Sequence, residues 1–328
     1  MQVVGLDIGY SNLKLAFGRA GNQPDIRVLP AMAAPVEHVA VQLEGASRAS
    51  PTGIPVRVDG QAWIAGVRPT RISGWSRALH ARYADSDAYR ALVLAALTLV
   101  NAPRIDRLVT GLPVSQAVDP RQREALRARL LGRHETGIGV VEIAEVRVIA
   151  QPVGTFVDAL VQGDDQLIGV ISEGTVLILD VGFFSVDWAV LVQGDLRRTA
   201  TGTSLEAMSV VLETAAGLIG AERSGQPPVA VIERALAEGR MTILYQGRRV
   251  DLLPALQQAS AQTARVALDA LRQDLRREQT AVDRILVTGG GSAWFMPLVT
   301  ELFDPVPVEM PRDPVTANAR GYFVYGGR

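Results

Sequence analysis

The 328-residue chain has no cysteine, three histidines and one lysine. Without thiols it can form no disulfide, no thiolate zinc site and no cysteine nucleophile. His38, His80 and His134 stand too far apart for a local metal motif, so any metal is expected to be held by oxygens. No run of 18 or more apolar residues occurs and no basic, apolar leader follows Met1, so a soluble cytoplasmic protein with no membrane partner is expected. A formal net charge of -1 gives no footprint for wrapping nucleic acid, and direct nucleic-acid binding is not expected. Aromatics are only 5% of the chain; they are scattered, and core packing accounts for them without a stacking platform.

What is present begins with bulk. Hydrophobic residues make up 48% of the sequence, and a chain of this length is expected to divide into two domains of about 150 residues. Lys14 is the single lysine among 33 basic residues. It marks a place where a planar guanidinium does not substitute, as where a compact ammonium fits beneath a phosphate.

The sequence repeats itself. Residues 3–17, VVGLDIGYSNLKLAF, match residues 176–190, VLILDVGFFSVDWAV, without a gap, so that Asp7 falls on Asp180 and Gly9 on Gly182. Each copy reads as an apolar, β-branched strand ending in Asp, a turn seeded by Gly, and a second strand. Two such hairpins predict a duplicated α/β architecture. Lys14 takes the slot that Asp187 fills in the second copy, as expected if the two turns face different parts of one ligand.

Helical periodicity supports helices over 85–100, from Asp119-Pro120 to about 131, after Gln151-Pro152, from a Thr203-Ser204 cap to about 219, over 228–238, over 254–279 and over 313–325. Strands are expected at 104–110, 139–150 and 284–288. Residues 30–80, rich in Pro, Gly and Ser, look like a small inserted subdomain. The expected division is a first domain over 1–158 and a second over 159–328, with a small subdomain at about 205–260 and the C-terminal helix packing back on the first domain.

The candidate chemistry lies in the turns. A phosphate-binding turn needs small residues that let backbone N–H groups approach the oxygens, plus hydroxyl and cationic side chains. Gly9, Ser11, Asn12 and Lys14 supply that set. Neither a Walker A sequence nor G-x-G-x-x-G occurs, which removes support for the P-loop and dinucleotide folds. Asp7 and Asp180, at the tips of duplicated hairpins, suit the water shell of a magnesium ion. Gln151, just after a strand, is placed to orient a water for attack on a γ-phosphate. Gly289, Gly290 and Gly291 lie at a strand-to-helix junction, where a flat ring or phosphate can lie against the backbone. Gly202-Thr203-Ser204 reads as a similar loop before a helix, or equally as a simple cap.

These segments together resemble the actin, sugar-kinase and heat-shock-chaperone ATPase superfamily, and within it the ParM/StbA-like plasmid-segregation actins. DIGYSNLK at 7–14 looks like the first phosphate motif, Gln151-Pro152 the first connecting helix and LDVGFFSVD at 179–187 the second phosphate motif. VTGGGSAWF at 287–295 resembles the adenosine motif and TANARGYFVYG at 316–326 the second connecting helix. VTGLPVSQ at 109–116 resembles ParM-like proteins in particular.

The resemblance implies duplicated actin-like, ribonuclease-H-like domains with a nucleotide cleft between them. It implies ATP as substrate with Mg2+, and hydrolysis that weakens a head-to-tail filament. ATP contacts would come from Gly9, Tyr10, Ser11, Asn12, Lys14, Gly182, Phe183, Ser185, Gly202, Thr203, Gly289, Gly290, Gly291 and Ser292. Asp7 and Asp180 would hold magnesium through water, and Gln151, Asp7 and Asp180 would be catalytic. The implied partners are further copies of the chain and a DNA-binding adaptor. The second turn departs from the family in carrying Phe183 and Phe184 where small residues are usual, leaving Ser185 and the backbone as its donors. A metabolite kinase, a non-polymerising ATP-dependent regulator or chaperone-like protein, and a filament that barely hydrolyses its nucleotide remain alternatives.

Overall fold

The computed structural model describes residues 1–40, 53–73, 82–221 and 225–328. These divide into two compact units, one formed by Met1–Gln162 with Val315–Arg328 and the other by Gly163–Pro314.

The first unit opens with β1 (Gln2–Ile8), β2 (Asn12–Arg19) and β3 (Asp25–Pro30), followed by β4 (Ala33–Pro35), β5 (Ile54–Val58) and β6 (Gln61–Ala65). Next come α1 (Asp87–Val100), β7 (Arg104–Ile105), β8 (Arg107–Leu112), α2 (Val114–Ala117), α3 (Pro120–Leu130), β9 (Gly132–Thr136), β10 (Gly139–Ile143), β11 (Val146–Ala150) and α4 (Gln151–Gln162). The second unit holds α5 (Asp165–Glu173), β12 (Thr175–Val181), β13 (Val186–Val192), β14 (Asp195–Ser204), α6 (Met208–Ala221), α7 (Val229–Ala237), β15 (Thr242–Tyr245) and β16 (Arg248–Asp251). It continues through α8 (Leu253–Arg277), β17 (Arg284–Thr288), α9 (Ser292–Phe303) and β18 (Val308–Glu309), after which α10 (Ala317–Gly327) returns to the first unit.

The central sheets share one plan. Strand order is β3-β2-β1-β8-β11 in the first unit and β14-β13-β12-β17-β18 in the second. In both, the first two pairings are antiparallel and the last two parallel. β1 and β12 are buried along nearly their whole length, which explains their continuous apolar runs: a strand covered on both faces has no polar alternation. The duplication read from residues 3–17 and 176–190 is therefore a duplication of the fold.

Local signals set the helix starts. Ser86 caps α1 by accepting from the Tyr89 N–H, and Asn101 closes that helix in the left-handed conformation. Asp119 caps α3 with Pro120 in its first turn, as the Asp-Pro pair predicts. α3 buries only Leu126 and Leu130, one helical turn apart, and leaves its Arg and Glu residues toward solvent.

Several expectations are corrected. Thr203 and Ser204 do not cap a helix; they end β14, and α6 begins at Met208. The Asp187↔Thr203 and Val186↔Ser204 pairings with β13 satisfy that backbone as strand, overriding the local capping signal. The strand material of 139–150 is two strands, β10 and β11, and β10 pairs with β9, which periodicity did not reveal. β15, β16 and α5 lie outside the expected helices and strands. Within 30–80 the described part contains the three-stranded sheet β4-β6-β5; residues 41–52 and 74–80 of that stretch lie outside the described residues, as do 222–224 within 205–260.

In the first unit α10 packs on β1 and crosses α4 where backbone meets backbone. A methyl group built on Gly321 would overlap the Gly154 carbonyl, and one on Gly5 would overlap the Ala319 carbonyl. Asn318 Oδ1 accepts from the Thr155 N–H (3.0 Å) and hydroxyl (2.9 Å). Arg320 donates to both oxygens of Asp158, at 2.9 and 2.6 Å, with the two side chains only 16% and 2% exposed. Removing one partner of a buried pair strands the other's charge. Asp158→Ala is therefore expected to destabilise the unit by about 3–5 kcal/mol, and Gly321→Ala by about 3 kcal/mol through overpacking. Thermal unfolding of the full chain measures both.

Candidate functional site

In the first unit the turn between β1 and β2 is closed by the Gly9 N–H donating to the Asn12 carbonyl (3.0 Å). Asp7 lies across the hairpin from Lys14. The Lys14 ammonium donates to Asp7 Oδ2 at 3.0 Å, and the Gln151 amide to Asp7 Oδ1 at 3.3 Å. Asp7 is 2% exposed, so its charge is balanced by Lys14 rather than by water. A side chain on Gly9 would bring a carbon to 3.0 Å from the Lys14 ammonium, so the missing side chain keeps the face over that ammonium open. Asp7, Gly9, Lys14 and Gln151 are thus brought together.

The other candidates of this turn make framework contacts. The Tyr10 ring stacks on Tyr83 with centroids 4.8 Å apart, and Tyr83 meets Tyr89 edge-on at 5.6 Å. The Ser11 carbonyl accepts from the Ala31 N–H (2.7 Å), and Asn12 opens β2 opposite Pro30.

The second unit repeats the turn backbone: the Gly182 N–H donates to the Ser185 carbonyl at 2.9 Å. Asp180 lies across from Asp187, as Asp7 does from Lys14. Instead of an ion pair there is a hydroxyl network. Ser185 Oγ donates to Asp187 Oδ2 at 2.7 Å and Thr203 Oγ1 to Asp187 Oδ1 at 2.6 Å. Strand register lines up Thr288, Asp180, Asp187 and Thr203 across β17, β12, β13 and β14, so all four side chains leave the same face of the sheet. Asp187 was left without a role by the sequence, although the gap-free repeat pointed to it as the counterpart of Lys14.

The remaining candidates of this unit separate by physical reason. The turn is anchored from behind, the Gly182 and Phe183 carbonyls accepting from the Met208 and Ser209 N–H groups (3.3 and 2.8 Å) at the start of α6. Phe183 packs against the apolar core of the unit, which accounts for a large ring in a turn where small residues are usual. Gly202 is required by packing, since a methyl group there would overlap the Trp188 indole.

The glycine loop after β17 holds three different glycines. Gly289 has φ +87°, and a side chain there would reach 2.5 Å from Asp180 Oδ1. Gly291 is packed against Val181 and Met208, and Ser292 is buried at the start of α9. Gly290 is exposed, with nothing within 4 Å of an added methyl group. Gly289 therefore brings the loop against the carboxylate at the strand tip, while Gly290 is the loop position that the fold leaves open.

A magnesium ion keeps most of its waters, and those waters need oxygen acceptors. Asp180, beside the hydroxyls of the second unit, fits that requirement. Asp7, already held by an ammonium and an amide, fits it less well. Among the described residues no group of three or more His, Cys, Asp or Glu side chains converges. No helix among the described residues is long and apolar enough to cross a membrane.

Residues 5–154 match the family model for the N-terminal domain of actin-like proteins, and residues 178–301 that for the C-terminal domain of the archaeal MreB-like actin homologue. The chain belongs to the actin-like superfamily, which includes the ParM proteins. Among solved structures it is similar to Ta0583, an archaeal actin homologue, at 21% identity over 98% of each chain with a TM-score of 0.75. It is also similar to the complex of that protein with ADP, at 20% identity over 98% of each chain (TM-score 0.73). A ParM from Clostridium botulinum, solved as a 15-stranded filament, matches at 16% identity over 99% of this chain and 98% of that one (TM-score 0.76). No curated protein matches the chain.

The loop yields a direct test of the packing assignments. Gly290→Ala is expected to change stability by no more than about 0.5 kcal/mol. Gly289→Ala, strained by its positive φ and crowded by Asp180, is expected to cost about 1–3 kcal/mol. Thermal unfolding compares the two.

Proposed function

We propose that this chain binds and hydrolyses ATP with Mg2+ and assembles into nucleotide-dependent filaments that segregate plasmid or similar DNA through a DNA-binding adaptor. The observation that carries the reading is the repeated hairpin turn with opposite chemistry in its two copies. One presents an ammonium and the other a row of oxygen acceptors, the complement that a polyphosphate with its divalent cation requires. The ADP complex of the archaeal relative and the filament of the clostridial ParM support nucleotide binding and self-assembly respectively.

In this reading Lys14 and the backbone amides of the first turn, with Ser11 and Asn12, hold phosphate oxygens. Gln151, fixed by its hydrogen bond to Asp7, orients the attacking water without acting as a strong base. Asp180 holds the hydrated cation, which when bound neutralises charge on the phosphates. The glycine loop receives the nucleoside, with Gly290 as its open contact. Assembly is head to tail, since heterologous contacts that do not close give filaments.

Light scattering and electron microscopy on the purified chain with Mg-ATP, run beside phosphate release, test the reading for wild type and Asp180→Ala. Expected are filaments that require nucleotide, with phosphate release lost in the variant. Bound ATP without assembly at any concentration favours the regulator, and phosphate transfer to a small molecule the kinase. A further variant, Gly290→Val, is expected to weaken ATP binding at least about tenfold, or about 1.4 kcal/mol, with no comparable change in thermal stability.

A further inference from the structure

The slot opposite the strand-tip aspartate holds Lys14 in one unit and Asp187 in the other. A lysine there offers only donors, an ionised aspartate only acceptors. Asp187 is 2% exposed, and each of its carboxylate oxygens receives a hydroxyl proton, one from Ser185 and one from Thr203. A hydroxyl has a single proton and two lone pairs. With their protons spent on Asp187, Ser185 and Thr203 can offer only lone pairs to anything else. The next hydroxyl in the row is committed in the same way, since Thr288 Oγ1 donates to the Pro314 carbonyl at 3.0 Å.

We propose that Asp187 is a positioning residue which, by taking the Ser185 and Thr203 protons, makes the second turn a surface of oxygen acceptors for the water shell of the nucleotide's cation. This rests on the nucleotide reading above and sharpens it. Phosphate oxygens, themselves acceptors, meet only backbone N–H groups at this turn, and the Ser185 hydroxyl is not a phosphate donor.

Titration of the full-length protein with ATP, in Mg2+ and separately in EDTA, tests this through the ratio of the two dissociation constants. In Asp187→Asn the amide can accept one hydroxyl proton but must donate to the other hydroxyl, turning that proton outward. The expected result is that the Mg2+-dependent gain in affinity falls by at least about tenfold, or about 1.4 kcal/mol, while metal-free ATP binds as well as to wild type or better. Ser185→Ala removes one acceptor and leaves Asp187 bonded to Thr203; it is expected to lose the Mg2+-dependent gain by a similar factor, and it carries the test should the Asn variant not fold. A ratio unchanged from wild type, or equal weakening with and without Mg2+, overturns the assignment, because a merely structural role weakens both. Wild-type protein that binds no nucleotide under either condition overturns the nucleotide reading and this assignment with it.

Discussion

The first unit depends on a close approach between α10 and the pair β1 and α4, possible only because Gly5, Gly154 and Gly321 carry no side chains where the backbones meet. Asp158 and Arg320, 162 residues apart in sequence, then lock the crossing with a two-pronged ion pair. The same approach reaches the candidate site. The Tyr322 hydroxyl lies 3.4 Å from the Gln151 carbonyl and fills the space that a side chain on Gly111 would need. Gln151 in turn donates to Asp7, which pairs with Lys14. The C-terminal helix thus helps set the position of the Gln151 amide, 171 residues earlier in the chain.

Duplication supplied the frame and divergence the chemistry. Both sheets keep the same strand order and sense, and both turns keep the same closing hydrogen bond, Gly9 to Asn12 and Gly182 to Ser185. Against that fixed background one exchange, Lys14 for Asp187, reverses the local charge. In the first unit the exchange neutralises the strand-tip carboxylate. In the second it places two carboxylates side by side and recruits two hydroxyls to one of them. A buried carboxylate that gains hydroxyl donors avoids the cost of an unsatisfied charge, so the network is a condition of folding in its own right.

The glycine loop teaches a related lesson about composition. Three consecutive glycines suggest one purpose, yet Gly289 answers to a positive φ and the nearness of Asp180, Gly291 to the packing of Val181 and Met208, and Gly290 to neither. Gly202, read as a loop residue, is a packing glycine beneath Trp188, and Phe183 is a core residue that happens to lie in a turn. Residue type alone does not separate a glycine that makes room for protein from one that makes room for ligand.

The sequence by itself determined the duplicated α/β plan, the two strand-tip aspartates, the odd lysine and the caps of α1 and α3. These rest on interactions within a few residues or on a gap-free repeat, and both leave a direct trace in residue order. The tertiary structure alone decided that Thr203 belongs to a strand, that Asp187 gathers the Ser185 and Thr203 protons, and that α10 crosses α4 at Gly154. Each of these arises from groups brought together across strands or across the chain, where sheet pairing and burial outweigh local propensity.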